Sequence, residues 1–179
     1  MIRAYSGLMT LTRMIPSLRR SLPDPLSADL WPEATVATVT DVVVSGISLL
    51  RLVEVCGTPC VHSGAAVVPR TGGRPSTTDR TTVLVVRVTS VEHAPSGPVV
   101  VRTDARLDDP ALIWLEARLI GRVSTAHNGL TLVACRPLEP DAGTGTNGRA
   151  ADLPQDVRAG DLLAIPSEPA RTSFTFWTP

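Results

Sequence analysis

At 179 residues, with 43% hydrophobic and 19% charged side chains, the chain is long enough for one ordinary domain and too apolar to be disordered. Its formal net charge is zero and aromatics make up 3% of it, which excludes a global field for nucleic acid or anionic membrane and argues against base stacking. All 17 basic residues are Arg, so the chain has no Lys to form a Schiff base and no P-loop.

The lack of Lys beside abundant Ala, Arg, Val, Thr and Pro is the usage of a GC-rich genome, and an actinobacterial source is expected. Cys56, Cys60 and Cys135 form no disulfide framework. Gly57-Thr58-Pro59 separates the first two, which is no standard zinc spacing, so small buried thiols in a reducing compartment are expected. Met1 to Leu22 carries Arg3, Arg13, Arg19 and Arg20 without an unbroken apolar run. A cytoplasmic protein with neither leader nor membrane span is the expectation.

In chain order, residues 1–34 form an N-terminal arm. Leu8, Leu11, Ile15 and Leu18 recur at helical spacing, with Pro16 kinking or restarting the helix. The arm either packs on the domain or lids a cavity, and simple packing is favoured. Thr35 to Ser45 is β-branched and predicts a strand or hairpin. Ser48 caps a helix through Leu49, Leu52, Val53 and Val55, and Gly57 stops it. Cys60 to Val68 is extended, and Pro69 to Thr81 reads as a loop.

Strands follow over Thr82 to Val91 and, after the turn Pro95-Ser96-Gly97, Pro98 to Thr103. Ala111 to Ser124 alternates as one long strand, with Trp114, Glu116, Arg118, Arg122 and Ser124 on one face. Asn128-Gly129 predicts a two-residue hairpin that returns Leu130 to Cys135 antiparallel. Asp141 to Ala151 reads as a flexible loop, and Leu162 to Ile165 and Ser173 to Trp177 complete the sheet. The fold class is mainly β: one antiparallel or mixed barrel over residues 35–179, with a short helical arm and one or two short helices.

Several segments, in order, resemble one known family. Trp31-Pro32, Ser45-Gly46-Ile47-Ser48-Leu49 and Gly57-Thr58-Pro59 look like the start of the diaminopimelate decarboxylases, which are fold-type III enzymes using pyridoxal phosphate (PLP). Gly73-Arg74 with Val83 to Val88 resembles the point where that family's chain leaves its (β/α)8 barrel. Val99 to Asp104, Pro110 to Trp114, Arg136 to Asp141 and Leu153 to Pro166 resemble landmarks of its C-terminal β-domain. Such a barrel takes about 250 residues, and only Pro69 to Gly73 stands in its place. The resemblance therefore implies a C-terminal β-domain, its fold like that of the alanine racemase and decarboxylase C-terminal domains, with the barrel deleted.

The departures from the family pattern remove its chemistry. The Schiff-base Lys and the phosphate-binding glycine loop are absent. Leu138 stands where the family has Cys, Asp109 replaces its substrate Arg, and Ser167-Glu168-Pro169 replaces Gly-Ala-Tyr. Glu139 and Asp141 keep the family's side chains. No PLP, other cofactor or metal is expected.

Glu139 and Asp141 are the candidate catalytic pair, able to do acid–base work if burial raises one pKa; otherwise they are solvated loop carboxylates. Trp114, Glu116, Arg118 and Arg122 are candidate substrate-binding residues. If their face points into a closed barrel they line a pocket, with Arg binding an anion and not acting as a base; if it points outward they are solvated. His62, His93 and His127 are scattered without metal spacing.

The expected function is a PLP-independent enzyme of specialised metabolism that promotes cyclisation or isomerisation of a small-molecule substrate in a shaped pocket. The alternative is a non-catalytic partner of a full-length decarboxylase, or a homodimer. Neither nucleic acid nor membrane is an expected partner.

Overall fold

The computed structural model describes residues 10–93, 97–105, 111–134 and 148–171. Among the described residues the arm opens with a single helical turn, α1 (Leu11–Met14), and Leu8 of the expected helix lies outside them. Pro16, which has no amide hydrogen to continue it, restarts the chain as a 3-10 turn over Pro16–Arg20. A second 3-10 turn spans Ala28–Leu30.

The β-branched stretch is a hairpin of β1 (Thr35–Ala37) and β2 (Val42–Val44), and β3 (Ile47–Ser48) pairs back on β2. The β2–β3 connection has two residues, Ser45 at φ 49° and Gly46 at φ 83°. Two successive positive φ values are what the twist of a two-residue hairpin demands.

Helix α2 (Leu49–Cys56) follows at once. Ser48 is its cap: Oγ accepts from the Arg51 amide at 3.0 Å and donates to Asp41 Oδ2 at 2.6 Å. The other Asp41 oxygen accepts from the amides of Val42 and Leu50, so one carboxylate ties the hairpin to the helix start. Gly57, at φ 75°, ends the helix. Val55 points into solvent and does not share the buried face of Leu49 and Val53. Ser48→Ala is expected to lower unfolding free energy by about 1–2 kcal/mol, read from urea titration.

Strand β4 (Cys60–Val67) pairs antiparallel with β5 (Pro75–His93), the spine of the molecule. The predicted loop over Pro69 to Thr81 is shorter than expected, because the β4–β5 ladder runs out to Val67↔Pro75. The remaining strands are β6 (Val99–Thr103), β7 (Arg118–Ile120), β8 (Asn128–Ala134), β9 (Gly148–Pro154), β10 (Leu162–Pro166) and β11 (Ala170–Arg171). The sheet order is β7-β10-β5-β6-β8-β9, with β4 and β11 also paired to β5. The β6–β8 pair is parallel and the others are antiparallel, so the sheet is mixed.

Three local expectations give way to tertiary pairing. Ala111 to Ser124 is not one strand. Ile113 N donates to Pro166 O, the chain then coils into a 3-10 turn over Trp114–Glu116, and only Arg118–Ile120 joins the sheet. Asn128-Gly129 is not a hairpin turn but the start of β8, paired with Pro154 and Leu153, because the partner of β7 is β10. The predicted loop over Asp141 to Ala151 includes the first residues of β9. The turn Pro95-Ser96-Gly97 falls partly outside the described residues; Cys135 and the strand expected at Ser173 to Trp177 lie wholly outside them.

The sheet curls so that β9 comes up against β7 and the Trp114–Glu116 turn. Among the described residues no ladder joins β7 to β9, and the sheet is a curled half-barrel. Its concave face is packed with Val86, Val88, Val101, Val133, Leu153, Leu163 and Ile165. Its convex face around β5 and β10 is also buried: Val83, Val85, Ile120 and Ala164 lie under Trp31, Val42, Val44, Leu49 and Val53. Burial on both faces is why these strands read as unbroken apolar runs. Each fully buried Val or Leu contributes about 1.5–3 kcal/mol from transfer out of water.

Candidate functional site

Glu116 and Arg118 of the Ile113–Ser124 segment meet the arm on the outside of the curl. Leu119 packs into the concave core, whereas Ile120 belongs to the convex one, so Arg118, two residues before Ile120, also faces outward. The arm covers this region because Arg19 fastens it. Arg19 is 6% exposed, and its guanidinium spends every nitrogen on the fold. Nε donates to Asp24 Oδ1 at 3.1 Å, Nη1 to the Ala126 carbonyl at 2.8 Å and Nη2 to Asn128 Oδ1 at 2.9 Å. Asn128 in turn donates to Asp152 Oδ2 at 3.2 Å, and Arg13 pairs with that same carboxylate. The arm thus spans the region where β7 and β9 approach without a ladder.

Between arm and sheet lies a cleft of about 390 Å3. Thr10, Arg13, Arg19 and Asp24 to Ser27 wall it on the arm side, and Ile113, Leu115, Glu116, Arg118, Asn128 and Asp152 on the other. Among the described residues its charged lining is three guanidiniums and three carboxylates. The volume falls within the range of small-molecule sites, about 300–1,000 Å3. A hollow of about 50 Å3 adjoins it and shares Arg118. A third, of about 410 Å3, lies beyond Pro23 to Leu26 and has Asp24 as the one charged residue of its described lining.

Glu116 is held by the arm. It accepts from Ser27 Oγ at 2.7 Å, the Ser27 amide at 3.4 Å and Trp31 Nε1 at 3.2 Å. Arg118 donates from Nη2 to the Pro25 carbonyl at 2.9 Å and stands 3.5 Å from Glu116. Its Nε is buried without a hydrogen-bond partner. Leaving such a group unpaired costs about 1–3 kcal/mol, and more when it is charged.

The structure brings together two of the four predicted binding residues, Glu116 and Arg118. Arg122 lines the small hollow instead, where its guanidinium grips Asp161 through two 2.7 Å bonds and reaches Asp156. Trp114 is a core residue, 5% exposed, whose Nε1 has no partner. It departs from the face of Glu116 because the 3-10 turn replaces the strand alternation. Glu139 and Asp141 lie outside the described residues.

Arg13, Arg19, Asp24, Trp31, Asn128 and Asp152 were not legible as site residues. The Arg19 partners Ala126 and Asn128 are 107 and 109 positions away, and no local pattern encodes that. Cys60 is half-buried and Cys56 exposed, against the expectation of buried thiols. Burial pushes the Cys60 thiol up, and Cys56 and Asp104 act in the same direction, so it is not an activated nucleophile. His93 and His127 are exposed, and His62 Nε2 is buried without a partner. Among the described residues no three His, Cys, Asp or Glu side chains converge as a metal site, and no helix is long and apolar enough to cross a membrane.

No known protein-family profile matches the chain, and no curated protein matches it.

Proposed function

We propose that the chain is a PLP-independent small-molecule-binding protein of specialised metabolism. Its substrate lies in the cleft beneath the arm and is held there in a folded pose that favours cyclisation or isomerisation. The observation that carries this reading is the 390 Å3 cleft, roofed by an arm that Arg19 pins and floored by Glu116 and Arg118. Its described lining residues include no Cys, His or Lys, so conformational restriction and fixed charges are what they offer a reaction. The β-domain of the decarboxylases, as a closed barrel, is our inference for the ancestral scaffold. It is supported by the order of the resembling segments and by the short Val68-to-Arg74 link between β4 and β5.

A second reading is a non-catalytic subunit docking on a full-length decarboxylase. Leu11, Met14 and Ile15, which project from the arm at 65%, 58% and 49% exposure, favour it.

Native mass spectrometry of the chain purified from its host separates the two. A retained small molecule at 1:1 stoichiometry is expected, and Arg19→Met, which unfastens the arm, is expected to lose it. A stoichiometric complex with a decarboxylase and no small molecule would overturn the cleft reading in favour of the second.

A further inference from the structure

Resting on the cleft as the ligand site, we propose that its ligand is an amphipathic monocarboxylate. Arg118 grips the carboxylate, and the apolar part lies along Leu26, Ile113 and Leu115.

The first argument is donor supply. Arg19 donates to Asp24, to the Ala126 carbonyl and to Asn128, and Arg13 is paired with Asp152. Arg118 differs. Its Nη2 donates to the Pro25 carbonyl at 2.9 Å, its Nε is closed off from solvent without a partner, and its ion pair with Glu116 is the longest among the described pairs of the cleft at 3.5 Å, against 2.9 Å for Arg19–Asp24. Glu116 is already served by Ser27 and Trp31, so engaging Arg118 elsewhere leaves that carboxylate bonded. A carboxylate can use such a guanidinium through charge-assisted bonds, whereas an acceptor without charge gains about half as much.

The second argument is charge balance. Among the described residues the lining carries equal numbers of guanidiniums and carboxylates, so one under-used Arg can neutralise one added negative charge. A phosphate monoester dianion brings a second negative charge to a site already bordered by Asp24, Glu116 and Asp152.

The third argument is the apolar wall. Leu115 is 48% exposed because the 3-10 turn drives Trp114 inward and Leu115 outward, into the lining of this cleft. Covering it and its neighbours rewards a ligand with a hydrocarbon portion.

The experiment titrates the full chain with hexanoate, hexanamide and hexyl phosphate, following backbone amide NMR shifts of the cleft residues. Hexanoate is expected to bind about tenfold or more tighter than the other two. Arg118→Gln is expected to abolish that preference while keeping the amide shift dispersion of a folded protein. If that variant does not fold, the acid-to-amide ratio on the unaltered protein decides alone. Equal binding of hexanoate and hexanamide, or tighter binding of hexyl phosphate, would overturn the monocarboxylate and leave the cleft reading standing. Shifts that leave the cleft untouched with all three ligands would overturn both.

Discussion

Replacing Arg122 by Met is expected to destabilise the fold by about 3–5 kcal/mol, the cost of stranding a buried partner charge. Arg122 joins the two turns that lie at the end of the β7–β10 ladder, where Ile120 pairs with Leu162. Its Nε and Nη2 each donate at 2.7 Å to Asp161, which is 7% exposed, and Nη2 also donates to the Asp156 carbonyl at 2.8 Å. The Asp161 carboxylate retains the Arg158 amide at 2.9 Å, but in the variant no cation remains in bidentate contact with it. Urea unfolding followed by circular dichroism measures the loss. A change below about 1 kcal/mol, the worth of a surface pair, would show that solvent already screens the cluster.

The same cluster sets an acid dependence. Burial acts to raise the Asp156 pKa, but the hydrogen bond from Ser124 Oγ and the pairing with Arg122 outweigh it, and the carboxyl sits below its ordinary value of 3.8. A depressed folded-state pKa stabilises the protein fully above the unfolded value and loses that contribution as pH falls through the folded one. The gap in stability between wild type and Arg122→Met is therefore expected to narrow below about pH 4.

Trp31→Ala is expected to cost about 3–5 kcal/mol as well, by a different route. Trp31 is 1% exposed in the convex core, where it packs with Val83, Val85 and Leu49, and its removal opens a cavity that the rigid strands cannot close. Its Nε1 also donates to Glu116, so the alanine variant loses a wall of the core and a tether of the cleft together. Trp31→Phe separates the two. It keeps most of the aromatic volume and deletes the donor, and a loss of about 1–2 kcal/mol is expected. Chemical denaturation of both variants checks the pair of values.

The hairpin over Thr35 to Ser45 and the residues that start and stop the helices were legible in the sequence. Ser48 as a cap, Gly57 as a stop and Pro16 as a restart each act within a few residues, and the structure has them in those roles. The alternation from Ala111 to Ser124 misled because it is real only in part: Arg118, Leu119 and Ile120 alternate, but the turn before them sends Trp114 to the core. Asn128-Gly129 misled because its residues are occupied elsewhere. Asn128 holds Arg19 and Asp152, and Gly129 lies against Gln155, whose side chain would stand 2.8 Å from an added Cβ. For the site, Glu116 and Arg118 stood out as charges on a strand face. That the arm would reach them depended on Arg19, a side chain indistinguishable by sequence from the other arginines.

The shared spine β5 has a consequence for how the protein is made. Alternate residues of this one strand enter opposite cores, Val83 and Val85 on one side, Val86 and Val88 on the other. One edge of its apolar stretch is covered by β10, whose Leu163 and Ala164 also divide between the two cores. Leu162 pairs with Arg87, 75 positions earlier. A ribosome emitting about 5–20 residues per second therefore exposes an unfinished apolar strand for several seconds before its partner emerges. Neither core is complete until β10 has been made, because each takes residues from it.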